Sequence, residues 1–140
     1  MRKELESAFW MLRVGFGVAP ALAGLDKIFR TNLLADWVAY ISPLATAMLP
    51  ISGDAFMQIV GVIELAVGIA VLTVATRAGA YVAAAWLVAI ALNLLTTGQY
   101  FDIAVRDLLM AIAAYTLARL AEVRASVPQP ERVSLSHAAA

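Results

Sequence analysis

Apolar residues along this chain form four long runs, each of a length that can cross a lipid bilayer. A spanning helix needs about 20 mostly apolar residues, within a range of roughly 17–25. The four runs cover residues 7–29, 55–76, 78–97 and 102–121. We predict a transmembrane helix over each run, joined in part by short turns at Arg77 and Gly98 that reverse the chain direction. The pattern therefore predicts an all-α fold, an integral membrane four-helix bundle with up-down-up-down topology.

The segment between the first two runs, residues 30–54, is apolar but contains two prolines and a glycine. Because proline breaks a helix, no uninterrupted stretch here reaches spanning length. We predict an amphipathic or re-entrant segment at the outer surface of the membrane. Thr31 or Asn32 is the expected cap at its start, and Trp37 and Tyr40 are expected to anchor it among lipid headgroups.

Composition supports a membrane protein and one domain. The chain is 63% hydrophobic and 14% charged, whereas soluble domains are roughly 45–50% apolar and about 25% charged. A soluble domain of about 150 residues still exposes close to a third of its chain surface, so surface this apolar is expected to face lipid. We assign residues 1–124 to a single transmembrane domain. Residues 125–140 contain prolines and no sustained apolar face, and we predict a disordered cytoplasmic tail.

Charge and cysteine counts exclude several classes of function. Ten basic and ten acidic residues give a formal net charge of zero, so no basic face is available for nucleic acid. There is no cysteine, which excludes disulfides, thiolate metal sites and thiol nucleophiles. The single histidine, His137, lies in the predicted tail. We therefore expect no metal, haem or flavin and no nucleic-acid partner.

Lys and Arg residues set the expected orientation, because cytoplasmic flanks collect positive charge. With both termini inside, the cytoplasmic side holds Arg2, Lys3, Arg77, Arg119, Arg124 and Arg132. The outer side would hold only Lys27, Arg30 and Arg106. The first run is interrupted by Arg13, so we expect it to be retained as a helix and not cleaved as a signal peptide. The distribution predicts a multi-pass protein with cytoplasmic N- and C-termini.

Polar and ionisable side chains inside the predicted spans are the candidate functional residues. A charge at mid-depth costs about 2.5–3.5 kcal/mol on insertion scales, so it normally faces protein and finds a partner. The candidates for a ligand-binding site or charge network are Arg13, Asp26, Lys27, Glu64, Asn93, Asp102, Arg106 and Asp107. The helical rise places all of them except Arg13 where they can converge on a pocket in the outer half of the bundle.

Spacing along the helices predicts how these charges pair. Asp102 and Arg106 are four residues apart and are expected to pair on one helix face. Asp107 points about 100° away and is free to meet another helix. Arg13 or Arg106 is the expected partner of Glu64, with extension of Arg13 to the inner headgroups as the alternative.

Small residues flank Glu64 in the pattern Gly61-x-x-Glu64-x-x-x-Gly68. In membranes, small residues mark the face on which a neighbouring helix comes close. The first helix carries a matching stripe at Gly17, Ala21 and Gly24. We therefore expect Glu64 to face protein and not lipid.

Two interpretations of the buried charges remain open. One is a salt-bridge network that fixes which helices pack together, and the other is a binding or proton-handling site. The larger side chains in the spans are expected to be packing or lipid-facing residues and not a cofactor site; they are Met57, Trp86, Met110 and Tyr115.

Three motifs together resemble the DoxX-like family of small four-helix bacterial membrane proteins. They are Arg13 followed by glycines and Gly24-Leu25-Asp26-Lys27-Ile28-Phe29, then Glu64-Leu65-x-x-Gly68, then Arg106-Asp107-Leu108. The resemblance covers about residues 8–121 and implies that the matching charged positions are Arg13, Lys27, Glu64, Arg106 and Asp107. It also implies the bacterial inner membrane. The family is named after a subunit of a membrane thiosulfate:quinone oxidoreductase, and relatives in thiol relays carry cysteines that this chain lacks.

Two functions are the main expectations. The first, implied by the resemblance, is a non-catalytic accessory subunit of a membrane, quinone-linked redox complex, with redox subunits or further copies of the chain as partners. The second is a binding protein or carrier for a quinone, an isoprenoid or a lipid in the outer-half pocket. A proton-coupled transporter would need repeats or broken helices, which are not seen in the sequence. Glu64 or Asp107 as a general acid or base is a further alternative, but we expect no enzymatic activity from the chain alone.

Overall fold

The computed structural model describes residues 2–127, and every regular element in that range is helical. The elements are α1 (Lys3–Phe29), a 3₁₀ helix (Trp37–Tyr40), α2 (Pro43–Met48), α3 (Gly53–Leu72), α4 (Thr76–Thr96) and α5 (Phe101–Ser126). The all-α prediction is confirmed for the described residues. We call the end with the start of α1 and the end of α5 the terminal end, and the end with the 3₁₀ helix and α2 the loop end.

Three helices, α1, α3 and α4, are long and apolar enough to cross a membrane. They correspond to the first three predicted spans. Helix α5 is one residue shorter than α1, but its sequence is interrupted by charged residues; these are Asp102, Arg106, Asp107, Arg119, Glu122 and Arg124. It continues through Ser126, past the predicted end at residue 121. The predicted disorder of residues 125–140 is therefore wrong for the last helical residues, and residues 128–140 lie outside the described part of the chain.

Helices α1 and α3 pack with their backbones in close contact, and glycines make this possible. A Cβ atom on Gly61 would lie 2.7 Å from the carbonyl oxygen of Gly24, and one on Gly68 would lie 2.5 Å from that of Gly17. Real Cβ atoms essentially never approach so closely. The predicted close approach along these glycine stripes is confirmed, and it places Glu64 at the interface between the two helices.

The other large interface joins α4 to α5. At the terminal end, Phe9, Phe16 and Val71 pack against small residues of both helices and form a buried core that unites all four long helices. A smaller buried cluster of Ala91, Leu94 and Ala104 lies nearer the loop end. The structure therefore consists of two closely packed helix pairs, α1 with α3 and α4 with α5, which share one core at the terminal end.

The connection between α1 and α3 contains two short helices, Trp37–Tyr40 and Pro43–Met48, and the predicted position of this amphipathic or re-entrant segment at the outer membrane surface stays a prediction. Ser42, and not Thr31 or Asn32, caps a helix here: its hydroxyl accepts hydrogen bonds from the backbone N–H groups of Leu44 and Ala45. The proline that follows Ser42 favours the first turn of α2, since its missing N–H is not needed there. Trp37 is half-buried, and its indole N–H donates to Asp26; its anchoring among headgroups stays a prediction.

Candidate functional site

A cavity of about 520 Å³ lies between the two helix pairs. All four long helices contribute to its wall, and Trp37 and Tyr40 of the 3₁₀ helix contribute at the loop end. Most of the wall is apolar, with small or aliphatic residues such as Ala19, Val60 and Leu87. The segment between α1 and α3 thus forms part of the site and does not lie apart from it.

Lys27 and Glu64 form a buried ion pair in the cavity wall. The Lys27 Nζ donates a hydrogen bond of 2.6 Å to Glu64 Oε2, and the two side chains are only 4% and 8% exposed. The same ammonium lies 3.5 Å from the centre of the Trp37 ring, where it also gains a cation–π interaction. The prediction that Arg13 or Arg106 neutralises Glu64 is therefore wrong, because Lys27 extends along α1 to reach it.

Arg13 lies at the terminal end and binds the backbone at the end of α3. Its guanidinium donates to the carbonyl oxygens of Val71, Leu72 and Thr73, at 3.1, 2.7 and 2.7 Å. These carbonyls belong to the end of α3, where backbone acceptors have no partner within the helix and the helix dipole favours a cation. The guanidinium also lies 4.8 Å from the Trp10 ring centre. Arg13 therefore joins α1 to the end of α3 and does not reach Glu64.

Asp26 holds the segment that follows α1. Its carboxylate accepts hydrogen bonds from the Thr31 hydroxyl, from the backbone N–H groups of Leu33 and Leu34 and from the Trp37 indole. The last of these, from Trp37 Nε1, is 2.6 Å long. Asp26 is buried but does not line the cavity. It positions Trp37, and through Trp37 the loop-end wall of the site.

Replacing Asp26 with alanine is expected to release residues 31–37 while the long helices stay folded, because four donors lose a shared acceptor. Each hydrogen bond to a charged group contributes about 1.5–3 kcal/mol. Hydrogen exchange should show faster exchange of the amides of Leu33 and Leu34. The control is Asp36→Ala, since Asp36 is exposed; equal loss of protection in both variants would contradict the assigned role.

Asn93, on α4, forms hydrogen bonds to the connection between α1 and α3. Its amide nitrogen donates to the carbonyl oxygen of Tyr40 at 2.7 Å, and its amide oxygen accepts from the Ser42 backbone N–H at 3.1 Å. Asn93 also lines the cavity. Its polar atoms are therefore occupied by the backbone between the 3₁₀ helix and α2.

Asp107 and Arg106 bring charge to the cavity from α5. Asp107 is buried, and its Oδ1 lies 3.9 Å from Nε of Arg106, whose side chain is 69% exposed. Asp102 is exposed and does not line the cavity. In the described part of the chain Asp102 forms no ion pair, so the predicted pairing of Asp102 with Arg106 is wrong.

Trp86, Met57 and Met110 line the cavity, although the sequence predicts them as packing or lipid-facing residues. For Trp86, the sequence contains a pattern that predicts a position in the cavity wall. Trp86 precedes Asn93 by two helical turns, which places both residues on one face of α4. A tryptophan on the same helix face as the polar residue predicted for the pocket is a candidate wall residue.

The cavity therefore brings together five of the eight predicted site residues. They are Lys27, Glu64, Asn93, Arg106 and Asp107. Arg13, Asp26 and Asp102 lie outside it. Within residues 2–127 no group of three or more His, Cys, Asp or Glu side chains is arranged to hold a metal ion. The two cations and two carboxylates balance in charge, and an apolar wall surrounds them. Such a site is suited to holding a mainly apolar molecule.

No protein-family model, no curated protein and no solved structure matches this chain.

Proposed function

We propose that this protein is a membrane-embedded binding protein or carrier for a small lipid-like molecule, such as a quinone, an isoprenoid or a lipid. The observation that carries the proposal is the cavity of about 520 Å³ with the buried Lys27–Glu64 pair in its wall. Ligand sites in proteins measure roughly 300–1,000 Å³ and combine apolar walls with a few polar groups. The cavity has this size and this composition.

The exposed parts of the cavity wall indicate how a molecule reaches it. Four residues line the cavity and are also exposed: Gly15 and Ala19 on α1, and Arg106 and Met110 on α5. The terminal ends of these two helices are joined by the ion pair between Arg124 and Glu6, 2.9 Å long. We infer that the cavity opens sideways between α1 and α5, above this closed end. In a bilayer such an opening faces lipid, so the molecule enters from the membrane.

The membrane arrangement that accompanies this function is a four-helix transmembrane bundle. The three candidate spans support it, as do large apolar side chains exposed along them, for example Met11, Leu22, Ile59 and Val62. Helix α5 would complete the bundle with its buried alanines against α4. We further propose the bacterial inner membrane, with both termini in the cytoplasm, on the basis of the DoxX-like motifs and the distribution of Lys and Arg.

A second candidate function is the non-catalytic accessory subunit of a membrane, quinone-linked redox complex. The DoxX-like motifs suggest it, and the exposure of Asp102 and Arg106 near the loop end of α5 favours it. Charges on that surface are available to a neighbouring subunit. Copurification from native membranes in mild detergent tests this role: a chain that elutes alone, and whose deletion leaves every redox complex intact, would contradict it.

Filling the cavity is expected to remove the bound molecule without unfolding the protein. The variant Gly15→Leu/Ala19→Leu places bulk on two exposed wall positions, and a Cβ on Gly15 would meet no atom within 4 Å. Protein purified from membranes in mild detergent should carry a lipid-like molecule, detected by organic extraction and mass spectrometry, and the variant should carry less than about a tenth as much.

The matched control for that experiment is Ala85→Leu. Ala85 is also an exposed alanine on a long helix, but it does not line the cavity. Its content of bound molecule should equal that of the unmodified protein. A protein that never retains a specific molecule, or whose content is the same in the filled variant, would refute the binding function.

A further inference from the structure

Most polar side chains of the cavity wall already have partners within the chain. Lys27 and Glu64 are paired with each other at 2.6 Å, and the indole N–H of Trp86 also lies beside the Glu64 carboxylate. Asn93 uses both its amide oxygen and its amide nitrogen on the backbone of the connection between α1 and α3. These four side chains are therefore engaged by protein.

Asp107, on α5, differs from them. It lines the cavity and is 9% exposed, and among the described residues its carboxylate accepts no hydrogen bond, while its oxygens keep accessible surface. Buried carboxylates are normally hydrogen-bonded, as Asp26 shows with its four donors. Asp107 thus presents an acceptor that a molecule in the cavity can reach.

The neighbouring cation does not satisfy this carboxylate. Arg106 Nε lies 3.9 Å from Asp107 Oδ1, beyond the roughly 2.7–3.2 Å of an N–H···O hydrogen bond. The Arg106 side chain is 69% exposed, at the opening between α1 and α5. A guanidinium only donates hydrogen bonds, and a carboxylate only accepts them. The two groups therefore flank a gap with a donor on one side and an acceptor on the other.

This gap distinguishes between kinds of head group. A hydroxyl both donates and accepts, so one hydroxyl can donate to Asp107 and accept from Arg106. An ammonium would lie beside the guanidinium and a carboxylate beside Asp107, and like charges so close together are disfavoured. A ketone or an ether accepts from Arg106 but leaves Asp107 without a donor, which is costly for a buried group. Of these heads, the hydroxyl satisfies both side chains.

We propose that Asp107 and Arg106 form the head-group subsite of the cavity, which selects an uncharged, chain-bearing alcohol or phenol. The inference rests on the proposed binding function and adds the chemical class of the head. The hydroxyl donates to the Asp107 carboxylate near the opening, and the chain lies along the apolar wall. An isoprenoid alcohol or a reduced quinone carries such a head, whereas an oxidised quinone has no donor for Asp107.

The test compares two isomers, n-tridecanol and dodecyl methyl ether, which share one molecular formula and differ in the presence of a donor. Purified, delipidated protein is immobilised on resin in detergent micelles and equilibrated with each probe. Bound molecules are extracted and counted by gas chromatography with mass spectrometry, and resin carrying Gly15→Leu/Ala19→Leu gives the background. The alcohol should bind at least about tenfold more tightly than the ether. Tridecylamine and tridecanoate should bind at least about tenfold more weakly than the alcohol.

The variant Asp107→Leu removes the acceptor and keeps a side chain of similar size. It should abolish the preference, so that alcohol and ether bind about equally. The matched control is Asp102→Leu, which removes a carboxylate of the same helix that is exposed and lies outside the cavity; its preference for the alcohol should equal that of the unmodified protein. If Asp107→Leu does not fold, the comparison of the isomers on the unmodified protein still decides.

The outcomes separate the two proposals. Equal binding of the isomers to the unmodified protein, or a preference that persists in Asp107→Leu, would overturn the head-group subsite while the binding function stands. Tighter binding of tridecylamine or tridecanoate than of the alcohol would also overturn it and would indicate a charged head. Failure of all four probes to bind above background would overturn the binding function together with the inference that rests on it.

Discussion

Gly24→Ala is expected to prevent α1 and α3 from packing and so to unfold the protein in detergent. A Cβ at this position would collide with the carbonyl oxygen of Gly61 and lie 2.8 Å from the backbone nitrogen of Leu65. Both obstacles are backbone atoms, which cannot rotate away as a flexible side chain does. Overpacking in a core typically costs about 1–3 kcal/mol and occasionally more, and we expect about 3 kcal/mol or more here. Thermal unfolding followed by circular dichroism, with size-exclusion chromatography, measures the loss.

Gly15→Ala is the matched control on the same helix. A Cβ on Gly15 would meet no heavy atom within 4 Å, and alanine is a better helix former than glycine by about 1 kcal/mol. We therefore expect this variant to be as stable as the unmodified protein or slightly more stable. Equal destabilisation by the two substitutions would mean that the glycines act through chain flexibility and not through the close approach of α1 to α3.

Lys27→Met is expected to destabilise the protein by about 3–5 kcal/mol, because it leaves the carboxylate of Glu64 buried without its cation. Glu64 is buried, and Lys27 Nζ is its ion-pair partner at 2.6 Å. Methionine has nearly the length of the lysine side chain, so the lost charge and not a cavity dominates the effect. Chemical or thermal unfolding of the purified variant measures it.

Two further variants isolate the role of charge at this site. In Lys27→Met/Glu64→Met both charges are removed together, and replacement of a buried pair by apolar groups is often neutral or stabilising; most of the stability should return. Arg30→Ala disrupts the exposed pair of Arg30 with Asp54, whose side chains are 58% and 47% exposed, and should change stability by less than about 1 kcal/mol. A double variant no more stable than Lys27→Met would show that the lysine acts through packing.

The helices were predictable from sequence because their signals are strong and local. Long apolar runs gave the four long helices, and the glycines at 17, 24, 61 and 68 identified which faces meet. The ends were less predictable. Helix α5 begins near the predicted residue but continues to Ser126. Its last turns are rich in alanine, arginine and glutamate, which favour a helix but do not extend an apolar run.

The pairing of charges was harder to predict than their burial. Glu64 was expected to face protein, and it does, but the sequence alone did not identify Lys27 as its partner. The choice depends on the register between α1 and α3, which is set by the backbone contacts of the glycines and not by either charge. Likewise, the four donors to Asp26 come from a connection whose path is irregular, and no periodic pattern specifies such a path.

The separation of Lys27 from Glu64 by 37 positions along the chain has a consequence for biosynthesis. During translation α1 is complete well before Glu64, the partner of Lys27, has been synthesised. Because Lys27 lies near the loop end of α1, its ammonium can remain among hydrated headgroups until then. Glu64 lies mid-way along α3, too far from the headgroups for its carboxylate to stay hydrated. Inserting it into the bilayer without a partner costs about 2.5–3.5 kcal/mol. We therefore expect α3 to enter the bilayer efficiently only beside an α1 that already resides there, so the order of synthesis matches the order in which the charges can be tolerated.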